Sequence, residues 1–207
     1  MIEQGSTEWH ALRLGKVTAS RINDVLARLK TGKEAASRAN YKHQLMVERL
    51  TGQQTPSFTN AAMQWGTETE PLARVHYEAG TGNLVREVAF IDHPFVQMSG
   101  ASPDGLVGTD GLVEIKCPNT ATHVEWMLAA DIPAEHQNQM LWQMACTGRK
   151  WCDFVSFDPR MPEYAQIFCM RLFRDDERIE AMQKEVTTFL EEVNQLCKQI
   201  ESMKGKK

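Results

Sequence analysis

With 207 residues, 42% of them hydrophobic and 24% charged, the chain fits one globular domain able to bury a substantial core. A formal charge of −4 argues mildly against indiscriminate nucleic-acid binding, yet it leaves room for an acidic metal site beside a local basic groove. The five cysteines (Cys117, Cys146, Cys152, Cys169 and Cys197) contain no CxxC pair, which disfavours a zinc ribbon or a disulfide framework and favours reduced thiols.

The opening segment "MIEQGSTEWHALRLGK" lacks the apolar core of a signal peptide, and no stretch approaches a membrane span, so a cytoplasmic protein is expected. The first eighty residues read as helical. "TASRINDVLARL" predicts a helix capped at Thr18, with Ile22, Val25, Leu26 and Leu29 on its apolar face. "SRANYKHQLMVERLTG" repeats the pattern and stops at Gly52. The loop between them, Lys30 to Arg38, is basic. A third helix is predicted over roughly 60–79, with Pro71 the site of any bend.

The middle changes character. "NLVREVAFI", "FVQMSGA", "DGLVG" and "GLVEIKC" are β-type runs bounded by Gly, Pro and Asp, and they predict a mostly antiparallel meander. Helices are predicted at about 122–130 and 134–147, then strands in "WCDFVSFD" and "AQIFCMRLF". A final helix from about Asp175 carries an apolar stripe from Ile179 to Ile200, for which facing the core is the default. The order predicts an α/β (α+β) fold, a mixed central sheet flanked by helices. Within a single domain spanning residues 1–207, the divisions would be a helical N-terminal region (1–80), a β-rich core (81–173) and a C-terminal helix (175–204).

Chemistry concentrates in "SGASPDGLVGTDGLVEIKCP", Ser99 to Pro118. Glu114 and Lys116 are two residues apart on a strand and project from one face, with Val113 and Ile115 turned the other way. A hairpin through "GTDG" brings Asp104 beside Glu114. Two carboxylates and an ammonium suit Mg²⁺, which takes one or two carboxylates and completes its shell with water and phosphate. Such an ion assists phosphodiester hydrolysis, and Lys116 with a lowered pKa could then handle the proton of the attacking water. A Glu-x-Lys pair is more often a solvated strand edge. A calcium loop fails, because Leu106 and Gly108 stand where oxygen ligands are needed.

"SPDG" followed, with nine residues between Asp104 and Glu114, by "EIKCP" resembles the PD-(D/E)xK nuclease signature, and more narrowly the phage lambda exonuclease and YqaJ-type viral recombinase family. The resemblance extends through "WHALRLGKVTAS", "WGTETEPLAR", "PAEHQNQMLWQMACTG" and "WCDFVSFDPRM". It implies a restriction-endonuclease-like core and a Mg²⁺-dependent 5′-to-3′ exonuclease, with Mn²⁺ as a substitute ion. Such an enzyme digests one strand of duplex DNA from its end, leaving 3′ overhangs and 5′-mononucleotides. It further implies a homotrimeric ring around the DNA, a single-strand annealing partner, and a phage or prophage origin in a bacterial host.

Residue by residue, the resemblance makes Asp104, Glu114 and the carbonyl of Ile115 metal ligands and Lys116 the catalytic lysine. Glu70 becomes a further acidic contributor, although Thr67-x-x-Glu70 also reads as a capping box. Glu68 is offset on the helix and points elsewhere. Arg13 matches the family's arginine for the terminal 5′-phosphate, and Ser20, near the start of the "TAS" helix, could donate to the same phosphate; a surface group or a helix cap is the alternative for either. Gln139 matches a glutamine beside the active site, with its register among three glutamines open. Met63 and Trp65 fall where a side chain would wedge or stack on the terminal base pair, with helix packing the plainer role. An endonuclease of the same fold and a DNA-end-binding module without catalysis are the alternatives.

Overall fold

A computed structural model describes residues 2–56 and 60–204. Its helices are α1 (Thr7–Arg13), α2 (Ile22–Leu26), α3 (Ala36–Thr51), α4 (Ala61–Thr81), α5 (Thr120–Ala129), α6 (Ala134–Thr147) and α7 (Asp176–Glu201). Its strands are β1 (Val17–Thr18), β2 (Val85–Arg86), β3 (Ile91–Asp92), β4 (Ser99–Ala101), β5 (Gly105–Val107), β6 (Gly111–Lys116), β7 (Trp151–Phe157) and β8 (Ile167–Phe173).

Five strands form a mixed sheet in the order β2-β5-β6-β7-β8, in which only β6 and β7 run parallel. A second sheet, β1-β4-β3, pairs β1 parallel and β3 antiparallel to β4. The mixed sheet flanked by helices is therefore as predicted, but the single meander is not. The chain leaves the five-stranded sheet after β2, forms β3 and β4 in the second sheet and returns at β5; Pro103, in the connection from β4 to β5, cannot donate to a ladder. "NLVREVAFI" accordingly yields two short strands in different sheets. At Gly100 the Phe90 ring and the Ile91 carbonyl occupy the space a Cβ would need.

The helix predicted from Thr18 is also corrected. Thr18 lies in β1 and makes no side-chain cap. A 3₁₀ turn (Ala19–Arg21) leads into α2, which stops at Leu26 and leaves Leu29 exposed. Pairing of the β-branched Val17 and Thr18 with Ser99 and Gly100 outweighs the local helical pattern.

Elsewhere the local signals hold. Helix α3 closes on Gly52 with φ +67°. Asn60 caps α4 by accepting from the Met63 N–H at 2.9 Å, and Pro71 sits inside the helix without ending it. Asp175 caps α7, whose Ile179, Met182, Val186, Phe189, Leu190 and Val193 are buried. The stripe weakens beyond them, and Ile200 is exposed.

Two cores sandwich the five-stranded sheet. On one face Leu112 and Phe154 pack against Met140, Leu141 and Trp142 of α6 and the apolar stripe of α7. On the other, Val113, Ile115, Val155 and Phe157 pack against Ala73 and Tyr77 of α4. Strand β6 is thus central and covered on both sides, and it carries Glu114 into the interior between α4 and α6. No helix among the described residues is long and apolar enough to cross a membrane.

Candidate active site

The β5–β6 ladder pairs Gly105 with Val113, so Asp104 is the next residue, opposite Glu114. There the side chain takes over from the backbone: Asp104 Oδ2 accepts from the Ile115 N–H at 2.6 Å. The N–H and C=O of one strand residue leave on the same side, so the Ile115 carbonyl also emerges toward Asp104. Glu114 is only 1% exposed, which excludes the solvated-edge reading. The Lys116 ammonium donates to Glu114 Oε1.

Helix α6 supplies the remaining donors to this carboxylate. Gln139 Nε2 reaches Glu114 Oε1 at 2.6 Å and Gln143 Nε2 reaches Oε2 at 2.5 Å. Their i,i+4 spacing puts both on one helical face. Gln137, the third candidate, turns to the Ile132 carbonyl at 2.7 Å. Of the three glutamines whose register the sequence leaves open, Gln139 and Gln143 both reach the site, as their shared helical face allows.

Glu70 comes from α4 and faces the same cleft as Asp104, alongside Trp9, Thr67, Pro71 and Arg74. It lies inside the helix and bonds Arg74 at 3.1 Å, while Thr67 Oγ1 bonds the Met63 carbonyl, so the capping box is excluded. Glu68 is exposed and bonds Gln64.

The electrostatics are those of crowded carboxylates. Burial, then Glu114 and Glu70, push the Asp104 carboxyl well above the usual range. Burial also raises Glu70, against the opposing charge of Arg74. For Lys116, burial alone would lower the pKa, but Glu114 and Asp104 outweigh it and hold it at about 12. The lowered value expected for Lys116 from its place in the motif is therefore corrected: this lysine is a cation.

Among the described residues no three His, Cys, Asp or Glu side chains form a preformed metal cage. Asp104 and Glu114 are instead a partial, all-oxygen donor set whose crowding a cation would relieve. That fits Mg²⁺, which keeps several waters.

Arg13 lies toward this centre. Its guanidinium stacks 4.0 Å over Trp9 and bonds Ser102 Oγ at 3.2 Å, two residues before Asp104. Burial lowers its pKa to about 10, and among the described residues no carboxylate pairs with it. An uncompensated, oriented guanidinium is suited to an anion. Ser20 is exposed in the 3₁₀ turn, 3.3 Å from Thr18 Oγ1. It does not begin a long helix, so the helix-terminus argument for it fails. No hydrogen bond joins it to Arg13. Met63 is exposed in the first turn of α4, which excludes core packing for it. Trp65 is half-buried beneath Arg160, whose guanidinium lies 4.5 Å from the ring and is held by Asp158.

Residues 8–150 match the family described as the YqaJ-like viral recombinase domain. Among solved structures, the alkaline exonuclease LHK-Exo of Laribacter hongkongensis is 51% identical over 97% of this chain and 99% of its own, with a TM-score of 0.90. The structure of that enzyme in complex with dAMP superposes at 0.91 with the same identity and coverage. A phage-related exonuclease from Haemophilus somnus 129PT shares the fold, at 17% identity over 89% of this chain and 96% of its own, with a TM-score of 0.74. No match was found among curated proteins.

Proposed function

The chain belongs to the YqaJ-like viral recombinase domain family, and from that premise we propose that it is a Mg²⁺-dependent exonuclease digesting one strand of linear duplex DNA in the 5′-to-3′ direction. The observation that carries this reading is the buried Asp104–Glu114–Lys116 centre at the β5–β6 hairpin, with its crowded carboxyls beside an open cleft. The 51% identity to LHK-Exo over nearly the full length supports the exonuclease class.

In this reading Asp104, Glu114 and the Ile115 carbonyl hold Mg²⁺, with Glu70 contributing from α4. The ion, when bound, makes a water more acidic and offsets phosphodiester charge. Gln139 and Gln143 lock the Glu114 rotamer, so its oxygens keep one direction through turnover. Lys116 orients the attacking water and neutralises charge that develops on the phosphate. As a cation it acts electrostatically, not as a ready base. Met63, exposed in the first turn of α4, would press on the terminal base pair, and Trp65 would offer a stacking surface.

Arg13 receives the terminal 5′-phosphate, with Ser20 as a second donor. Arg13→Ala is expected to erode the preference for 5′-phosphorylated over 5′-hydroxyl ends by about tenfold or more, the scale of one lost charge-assisted contact. Comparing degradation rates of the two substrates checks this. An unchanged preference would remove Arg13 from the phosphate site.

The raised Asp104 carboxyl has a defined pH signature. A carboxyl raised on folding adds stability at pH below its unfolded value, and that contribution is lost as pH rises through the folded value. A bound divalent cation relieves the resulting repulsion. The thermal shift produced by Mg²⁺ is therefore expected to be larger at about pH 9 than at about pH 6. Melting curves with and without Mg²⁺ measure it, and equal shifts at both would contradict the assignment.

A ring of three copies around the duplex would let a chain of net charge −4 stay on DNA topologically, without a large nonspecific electrostatic affinity. The single strand left behind would pass to an annealing partner in the cytoplasm of a bacterial host. Covalently closed circles test the exonuclease reading: they should resist digestion while the linearised form is degraded. Cutting of the circle would indicate an endonuclease, and binding of ends with no release of nucleotides a non-catalytic module.

A further inference from the structure

The segment joining Arg13 to Ser20 is held along its backbone by one helix. Glu48 of α3 accepts from the Gly15 N–H at 2.9 Å. The next residue, Arg49, donates from Nε to the Gly15 carbonyl at 2.8 Å. Two helical turns earlier, Tyr41 Oη accepts from the Thr18 N–H at 3.2 Å and donates to the Lys16 carbonyl at 3.3 Å. Gly15 has φ +67°, and a Cβ there would fall 2.8 Å from Arg49 Cγ, so only glycine fits this grip without strain.

Glu48 is the unexpected member. It is 4% exposed and receives only neutral donors: the Gly15 N–H, Gln44 Nε2 at 2.9 Å and the Thr55 N–H at 3.3 Å. Among the described residues no Lys, Arg or His forms an ion pair with it. A buried carboxylate without a cation is costly, and a neutral side chain could accept the same Gly15 N–H at less cost. What a carboxylate adds is strength and number, three charge-assisted bonds that fix the Gly15 peptide more firmly than a neutral acceptor.

The clamped peptide lies two residues after Arg13 and feeds β1, which leads directly to Ser20. Arg13 and Ser20 share no bond, so their relative placement depends on the backbone between them. We propose that Glu48 is a positioning residue for end recognition: by fixing Gly15 it sets Arg13 and Ser20 to face the same 5′-terminal phosphate. This rests on the reading of Arg13 and Ser20 as the phosphate contacts. Glu48 acts through the loop and touches no DNA.

The test compares kcat and KM on linear duplexes with 5′-phosphate and 5′-hydroxyl ends, for the unaltered protein, Glu48→Gln, Gly15→Ala and Arg13→Ala. The Gln variant keeps the volume but turns an NH₂ toward donors. The Ala variant keeps Glu48 and disturbs the clamp from the other side, so it decides the matter if Glu48→Gln does not fold. Both are expected to reduce the phosphate preference about tenfold, chiefly through KM for the phosphorylated end, as misplacement of a binding group does. A purely structural role would lower both rates together and leave the ratio intact, and that result overturns the proposal. If Arg13→Ala erodes the ratio while neither clamp variant does, the positioning role alone falls. If Arg13→Ala also leaves the ratio intact, the phosphate site itself is wrongly placed and the proposal falls with it.

Discussion

Lys116→Ala is expected to reduce nucleotide release by about 10²–10⁴-fold while leaving DNA-end binding and the fold in place. The separation follows from what surrounds the ammonium. Glu114 Oε1 keeps Gln139 and Oε2 keeps Gln143, so the buried carboxylate retains partners on both oxygens when the lysine is lost. Lys116 is at the partly exposed end of β6, and its removal opens no core cavity. Lost instead is the cation that pairs with Glu114, where low dielectric magnifies its effect. Arginine would not substitute, because its planar fork cannot reproduce a compact ammonium two residues from its carboxylate partner. Single-turnover digestion together with end binding in Ca²⁺ measures both halves. A nearly unimpaired rate would refute the role.

Asp104→Asn is expected to move activity and stability in opposite directions. Catalysis in Mg²⁺ should fall by about 10³-fold or more, because one of the carboxylates that would hold the ion in the proposed site is replaced by a neutral amide. The amide oxygen can still accept from the Ile115 N–H, so the hairpin keeps its register. The metal-free variant should melt higher than the unaltered protein at alkaline pH. Asp104 is pushed up by burial and by Glu114 and Glu70, and its ionised form weakens the fold. Each kcal/mol so relieved corresponds to about 2–4 °C for a chain of this size. The gain should vanish at acid pH, where Asp104 carries its proton in either state. Melting curves across pH without metal show this directly. A variant that is less stable at alkaline pH would mean the carboxylate is satisfied in some other way.

Much of this site is written in local pattern. Strand alternation places Glu114 and Lys116 together and turns Val113 and Ile115 to the other core, as found. Helices α3, α4, α6 and α7 are legible from apolar spacing, caps and terminal glycines, signals that act within a few residues. What is not legible depends on partners distant in sequence. Thr18 reads as a helix cap until Ser99 and Gly100 offer it a parallel strand. Thr67-x-x-Glu70 has the letters of a capping box but sits inside α4, whose cap is Asn60. The charge state of Lys116 depends on Glu114 and Asp104 outweighing burial, a balance that spacing does not reveal. Arg13 stacks on Trp9, which its i,i+4 spacing could have suggested, but its tie to Ser102 spans most of the N-terminal half.

The most direct test of the central claim is digestion of a linear duplex carrying a 5′-phosphate, with distinct labels on the two ends of one strand, with and without Mg²⁺. The expected result is Mg²⁺-dependent release of 5′-mononucleotides beginning with the 5′ label, the 3′ label remaining on a shortening strand. Release that begins at the 3′ label, or proceeds equally without any divalent ion, would contradict it.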